Sequence, residues 1–237
     1  MIKFILASNS PARLKTLKNS GLDPKVIVSQ VDEDKILLEI NNSSFEEQVK
    51  KLAEAKANSV ASRIFGKDHG YLKNDLETNI SKLVEDKTAK QTRLDIENNN
   101  FVILGCDSMF EIDGKLQGKP HTPQVARERI KNMRGKWGIL HTGHSLIYKS
   151  AFNDKIVSTS RIVSTKVKFG DISDFEIEKY IITGEPLEVA GSFTIDSLGA
   201  AFIEKIEGDY HSVVGVSLYA LRQMAEELGF QYTDLWT

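Results

Sequence analysis

The residues in this chain whose types suit chemistry lie far apart in sequence: Arg13, Glu33, Lys56, Asp107 and Lys119. Together they offer three cations and two carboxylates. Phosphoryl chemistry needs that inventory: cations for an anionic chain, carboxylates for a metal, and a base or positioner for water. Asp107 is the sharpest of them. It follows the apolar run Phe101-Val102-Ile103-Leu104-Gly105 and is expected at the carboxyl end of a buried strand, where open α/β sheets place ligands. A carboxylate there can hold a divalent cation, activate water, or do both; it can also simply form an Asx turn. Glu33 stands between Asp32 and Asp34 in a polar loop. Three such carboxylates attract Mg²⁺ or merely keep a loop solvated, and spacing alone does not decide.

Lys56 falls on the apolar stripe of a long helix, with Val49, Leu52, Ala53, Val60 and Ile64. A lysine on a buried face is expensive unless an anion meets it; snorkelling at the edge of the face is the plainer reading. Lys119 precedes Pro120, which restricts it to extended backbone. Ser8-Asn9-Ser10-Pro11-Ala12-Arg13 joins a first strand to a helix. Ser10 is the expected N-cap and Pro11 the first helical residue. Free N–H groups and the positive dipole end there make an anion site or an ordinary capped turn. Arg13 in the first turn can fork onto a phosphate.

Other candidates carry less. Cys106 has no evident partner and reads as packing. His141 and His144 are three apart on a strand, hence on opposite faces, and read as structural rather than as a zinc pair. Walker A, G-x-G-x-x-G and nucleophile-elbow motifs are absent.

Bulk properties bound the rest. The 237 residues are 41% hydrophobic and 27% charged, with a net charge of −2, which suits a soluble globular chain. The missing basic bias speaks against a nucleic-acid duplex as partner. A single cysteine favours a reducing, cytoplasmic setting. No run approaches the roughly 20 apolar residues of a membrane span, and the start reads as a strand rather than a signal peptide.

The elements that must position these residues alternate. Ser44-Phe45-Glu46-Glu47 opens a long helix and Ser173-Asp174-Phe175-Glu176 another, each by a capping box. Thr122-Pro123 starts a helix with Ala126, Ile130 and Met133 inward. Asp113-Gly114 signals a hairpin. Gly138 to Lys149 and Lys155 to Phe169 form a long antiparallel pair turning near Asn153-Asp154. Phe193 to Ile206, interrupted at Ser197-Leu198-Gly199, reads as a further extended pair, and Ser217 to Leu228 as a final helix. About residues 67–100 are charged and poor in aromatics, an exposed insertion with one weak amphipathic helix at Leu76, Ile80 and Leu83. The expected class is α/β, a mixed twisted sheet flanked by helices in one domain over residues 1–237.

Six segments, in order, resemble the motifs of the Maf family of nucleoside triphosphate pyrophosphatases. Leu6-Ala7-Ser8-Asn9-Ser10-Pro11-Ala12-Arg13 resembles its opening L-A-S-x-S-P-R-R, and Val31-Asp32-Glu33 its acidic loop. Leu52-Ala53-Glu54-Ala55-Lys56-Ala57 resembles L-A-x-x-K-A. Leu104-Gly105-Cys106-Asp107-Ser108 with Gly118-Lys119-Pro120 resembles G-x-D-[ST] and G-K-P. Tyr180 through Glu185-Pro186 to Ala190-Gly191-Ser192-Phe193, and Glu207-Gly208-Asp209-Tyr210 with Val213-Val214-Gly215, resemble its last two motifs.

The resemblance implies two lobes about a central cleft (the Maf/Ham1-like arrangement), often a homodimer. It implies a hydrolase that converts a nucleoside triphosphate to the monophosphate and pyrophosphate with Mg²⁺ or Mn²⁺, clearing non-standard nucleotides. A nucleotide-binding regulator of septum formation without turnover is the alternative. Asp107 matches the catalytic aspartate. Ser8, Ser10, Arg13, Lys56 and Lys119 match phosphate-binding positions, and Glu33 with Asp107 the metal positions. Members preferring thymidine or uridine triphosphate carry Arg, Thr and Gln where this chain has Ala12, Ser108 and Asp196. All three differ, so that preference is not carried over. An acceptor-only Asp196 could take two N–H bonds from a guanine edge, and a purine or a relaxed preference is expected instead.

Overall fold

The computed structural model describes residues 2–66, 98–152 and 155–237. Seven strands form one mixed sheet in the order β2-β1-β3-β5-β6-β7, with β4 also paired to β3. β1 (Ile2–Leu6) runs parallel to β2 (Lys25–Val26) and to β3 (Asn100–Ile112). β4 (Lys115–Gln117), β5 (Trp137–Lys149), β6 (Ile156–Phe169) and β7 (Ile203–Glu207) pair antiparallel with their neighbours. The mixed α/β class expected from the pattern of elements is the one observed.

β3 is longer than its apolar run predicts. Asp107 does not end the strand; it lies within it, opposite Gly143 of β5. On the other side, β1 pairs β3 only from Asn100 to Leu104, and β4 only from Phe110 to Ile112. The stretch from Gly105 to Met109 therefore has no strand partner on that side among the described residues. Asp107 sits at a gap in the sheet beside β3, where β1 has stopped and β4 has not yet begun. The hairpin joining β3 to β4 is tight, with Asp113 and Gly114 both at positive φ, 51° and 69°.

Apolar packing forms three clusters among the described residues, one of them Ile5, Ala57, Val60, Phe101 and Ile103 between the helix Phe45–Phe65 and the sheet. A second gathers Phe4, Leu6, Leu17, Leu104 and Leu146 beneath α1 (Pro11–Asn19) and the final helix, which spans Leu218–Glu227. The third gathers Phe110, Ile130, Phe169, Ile177 and Phe193 beneath the helices Pro123–Met133 and Asp174–Ile182. The helices between these are α2 (Glu33–Glu39), α3 (Phe45–Phe65), α4 (Pro123–Met133), α5 (Asp174–Ile182) and α6 (Tyr210–Val214), with α7 the final one.

α3 lies across one face of the sheet. Val49, Leu52 and Val60 are fully buried, each worth roughly 1.5–3 kcal/mol. Two glycines permit its close approach. A Cβ on Gly105 would stand 2.3 Å from the Ala53 carbonyl oxygen, and one on Gly143 would stand 2.3 Å from that of Val49. α1 ends as its sequence predicts. Gly21 at φ 78° donates to Lys18 O, and Leu22 donates to Leu17 O, a Schellman closure.

Two expectations are corrected, and a third is not reached by the described residues. Asp32, Glu33 and Asp34 do not form a bare loop: Asp32 caps α2, its side chain accepting the Lys35 N–H, and Glu33 is the first helical residue. The span from Phe193 to Ile206 is not an extended pair. Leu198–Phe202 forms a 3₁₀ turn and only β7 joins the sheet, because side-chain contacts to Glu185 shape the segment before it. The turn at residues 153–154 and most of the expected insertion, with its weak helix, lie outside the described residues. Among the described residues, no helix is long and apolar enough to cross a membrane.

Candidate active site

The pleat sorts the candidate residues onto two faces that meet at the open stretch of β3. Gly105 and Asp107 face α3, and Ser108 faces the opposite side. On the α3 face, Lys56 Nζ sits 2.6 Å from Asp107 Oδ1 and 2.9 Å from Glu33 Oε1. Lys56 and Asp107 are both 7% exposed, whereas the Glu33 side chain is 48% exposed. The buried lysine thus has its anionic partner, contributed by the strand beneath it, and a second carboxylate closes over it from α2. This is what the stripe on α3 required, since an unpaired ammonium there would be untenable. The close glycine contacts bring α3 near enough for the pair to form.

Burial pushes the Asp107 carboxyl up from its ordinary value; Lys56 and Arg13 oppose that, and Glu33 adds to it. The result is a carboxylate more basic than one in water. Cys106 beside it is fully buried, and burial pushes its thiol up to about 11, so it stays protonated and inert.

On the other face, Ser10 caps α1, its Oγ accepting the Arg13 N–H at 3.4 Å. The first turn of α1 holds no acidic residue, so its positive end is uncompensated. Arg13 is nearly buried, and its guanidinium is bound on three sides. Nη1 donates to Ser8 Oγ at 2.9 Å, Nη2 to Ser108 Oγ at 3.0 Å, and Nε to Gly215 O at 2.8 Å. Gly215 has φ 124°, and a Cβ there would come 3.0 Å from Arg13 Nε, so the contact depends on glycine. Ser108 Oγ also lies 3.0 Å from Thr142 Oγ1, which donates to Ser212 O. Arg13 therefore clamps the opening turn to β3 and to the chain before α7.

Lys119 is placed differently. Its ion pair is to Glu188, at 3.8 Å between two exposed side chains, and not to Asp107 or Glu33. It follows β4, which runs antiparallel to the end of β3 and directs the chain back toward the open stretch. Ala12 is half-buried in the first turn of α1. Asp196 lies within reach of α1, its Oδ2 4.0 Å from Lys15 Nζ. Glu33, Lys56 and Asp107 are thus in direct contact; Ser8, Arg13 and Ser108 form a second connected set; Lys119 and Asp196 stand in the surrounding loops.

The two histidines serve structure. His141 bonds Glu111 and Ser164 through its two ring nitrogens, while His144 Nε2 accepts the Ser217 N–H at 2.8 Å. Burial, with Arg13 nearby, holds His144 down to about 4, so it is neutral.

Sequence reasoning missed Gly143, Thr142, the contact of Gly215 with Arg13 and the bonding of Glu185. A glycine inside a strand pattern signals close backbone approach, which was the available cue for Gly143. Thr142 carries no local mark, and the motifs holding Glu185 and Gly215 do not say what those residues touch.

The donor set suits a small hard cation. Glu33 and Asp107 already share one cation, the Lys56 ammonium, so their oxygens converge. No group of three His, Cys, Asp or Glu suited to a metal occurs among the described residues. Two carboxylates, with further oxygens from a phosphate chain and water, is a normal set for Mg²⁺.

Comparison with known proteins points the same way. The family model described as Maf-like protein matches residues 3–228. A protein of Leifsonia xyli named nucleoside triphosphate pyrophosphatase is 39% identical over 99% of this chain and 97% of its own length. Relatives of the same name from Corynebacterium glutamicum (strain R) and Streptomyces avermitilis are also 39% identical, over 99% of this chain and 99% and 95% of their own lengths. With its motifs in order, a mixed sheet open at Asp107, and matches of this extent, the chain belongs to the Maf family.

Proposed function

We infer that this chain hydrolyses a nucleoside triphosphate to the monophosphate and pyrophosphate. The observation that carries the reading is the buried Lys56, held between Asp107 and Glu33 at the open stretch of β3, in a chain whose full-length relatives bear that name. Each group has work suited to its setting. Lys56 donates one proton to Asp107 and is ion-paired to Glu33, and it has a proton left to offer to a phosphate oxygen. Ser8 Oγ accepts from both the Ser10 amide and Arg13, so its own proton is free to point outward at the substrate. The α1 N-terminus and Lys119 add positive potential along the phosphate chain. Asp107, more basic than a solvated carboxylate, aligns a water and takes its proton as the oxygen attacks the α-phosphorus. The phosphoanhydride bond breaks and pyrophosphate leaves.

Glu33 and Asp107 are the residues that would hold Mg²⁺ or Mn²⁺. The cation supplies neutralisation of charge on the triphosphate. Asp196 is proposed to meet the base and to favour guanine, whose N–H edge matches an ionised carboxylate. A cytoplasmic location and a homodimer complete the reading, the latter checked by sedimentation.

The reaction is tested by separating the products from a panel of nucleotides, incubated with and without Mg²⁺. Monophosphate and pyrophosphate in equal amounts are expected, only with the cation. A diphosphate and inorganic phosphate would contradict the reading. So would tight nucleotide binding without product.

A further inference from the structure

Glu185 opens the 3₁₀ turn Glu185–Glu188, immediately after Gly184 at φ 78°. Its carboxylate accepts five hydrogen bonds. Oε1 takes them from Tyr180 Oη at 3.0 Å, Thr194 Oγ1 at 2.5 Å and the Gly199 amide at 2.9 Å. Oε2 takes them from Ser197 Oγ at 2.8 Å and the Leu198 amide at 3.1 Å. Four of the five donors belong to residues 194–199. That stretch begins with no helix or strand, so these bonds define its shape. Burial alone would raise the Glu185 carboxyl, but the bonds from Thr194, Gly199, Ser197 and Leu198 hold it down to about 2. It is therefore a permanent acceptor. The loop is drawn tightly onto it: a Cβ on Gly199 would stand 2.5 Å from Tyr180 Oη.

Asp196 sits in the middle of this loop, between Thr194 and Ser197. Its side chain reaches toward Lys15 on α1, the helix whose first turn carries the phosphate-facing groups. Tyr210 Oη, from the start of α6, donates to Ile195 O at 3.2 Å and pins the loop from the other side. The only carboxylate in the loop is thus suspended between fixed points, and Glu185 provides most of them.

We propose that Glu185 is a positioning residue for base recognition, its carboxylate setting the 194–199 loop so that Asp196 meets the N–H edge of the nucleotide base. This rests on the reading that Asp196 faces the base. Glu185 itself touches no substrate, so its loss is felt in discrimination before it is felt in the chemical step.

The test measures kcat/KM for guanosine and uridine triphosphates in wild type, Glu185→Gln, Ser197→Ala, Asp196→Asn and the Glu185→Gln/Asp196→Asn pair. Glu185→Gln keeps the shape of the side chain but turns one acceptor oxygen into a donor. It should lower the guanosine-to-uridine ratio about tenfold, the effect of one or two lost charge-assisted bonds, through KM for guanosine triphosphate. Ser197→Ala, at an exposed donor, should move the ratio the same way by a smaller factor and folds even if Glu185→Gln does not. In the Asp196→Asn background, Glu185→Gln should leave the ratio within about twofold, because both act through one contact. A Glu185→Gln protein that melts earlier but keeps the ratio overturns the proposal, and so does a full additive change in the pair. Wild type that releases pyrophosphate without base preference also overturns it. Wild type that releases none refutes the reaction itself, and that is seen before any variant is made.

Discussion

Lys56 is the residue on which the site balances. It is buried, and both of its ion-pair partners are carboxylates to which the proposed reaction assigns a role. Replacing it with methionine leaves Asp107 buried beside an apolar chain. At neutral pH this should destabilise the fold by about 3–5 kcal/mol, as breaking a buried pair does. The deficit should shrink in acid. A carboxyl whose pKa the fold raises is stabilising while protonated, and that stability is lost as pH rises through the folded value. Thermal melts of Lys56→Met between pH 4 and 8 check this, and a pH-independent deficit would speak against the pair. Lys56 and Asp107 were legible from spacing alone: one on an apolar helical stripe, the other after a buried run. That they touch was not, since no local pattern says which strand a helix covers. Arg13 was legible as a first-turn cation, yet its role as a three-way clamp depends on Gly215, 202 positions away.

At the scale of elements, the decisive contact is between α3 and the sheet. Gly105 and Gly143 let the helix backbone lie on β3 and β5. Gly143→Ala should force α3 outward and cost about 1–3 kcal/mol, as overpacking does, with turnover falling because Lys56 moves with its helix. Urea unfolding and pyrophosphate release, measured together, check both parts; an unchanged rate in a destabilised variant would uncouple the helix from the site. The cap of α1 is a milder case. Ser10→Ala should cost about 1 kcal/mol and weaken substrate binding through a frayed N-terminus. The caps, the long antiparallel pair β5–β6 and the β3–β4 hairpin could be read from sequence because each is written in adjacent residues. The extended pair expected over Phe193 to Ile206 failed because Glu185, from outside that stretch, supplies the hydrogen bonds that shape its first part. α2 was missed because seven residues of charged and aliphatic character carry little periodic signal.

At the scale of the whole molecule, three apolar clusters pack against one sheet among the described residues, and the candidate site lies where neither β1 nor β4 covers β3. The sequence order of motifs marked both sides of this gap, but strand lengths created it, and those depend on pairing across the chain. The core also carries a pH dependence. His144, fully buried, is held down to about 4 from an ordinary 6.5. A base with a lowered value contributes stability above 6.5 that is lost as pH falls toward 4, about 3 kcal/mol in all. The melting temperature should therefore fall across that window, and His144→Gln should flatten the decline.

The most direct test of the account is the rate of pyrophosphate release by Asp107→Asn beside wild type, at saturating nucleotide and Mg²⁺, with circular dichroism recorded on both. The account predicts a loss of about a thousandfold in a protein that still folds, though with a lowered melting temperature because Lys56 loses its buried partner. A variant that is folded and releases pyrophosphate at near the wild-type rate would contradict it.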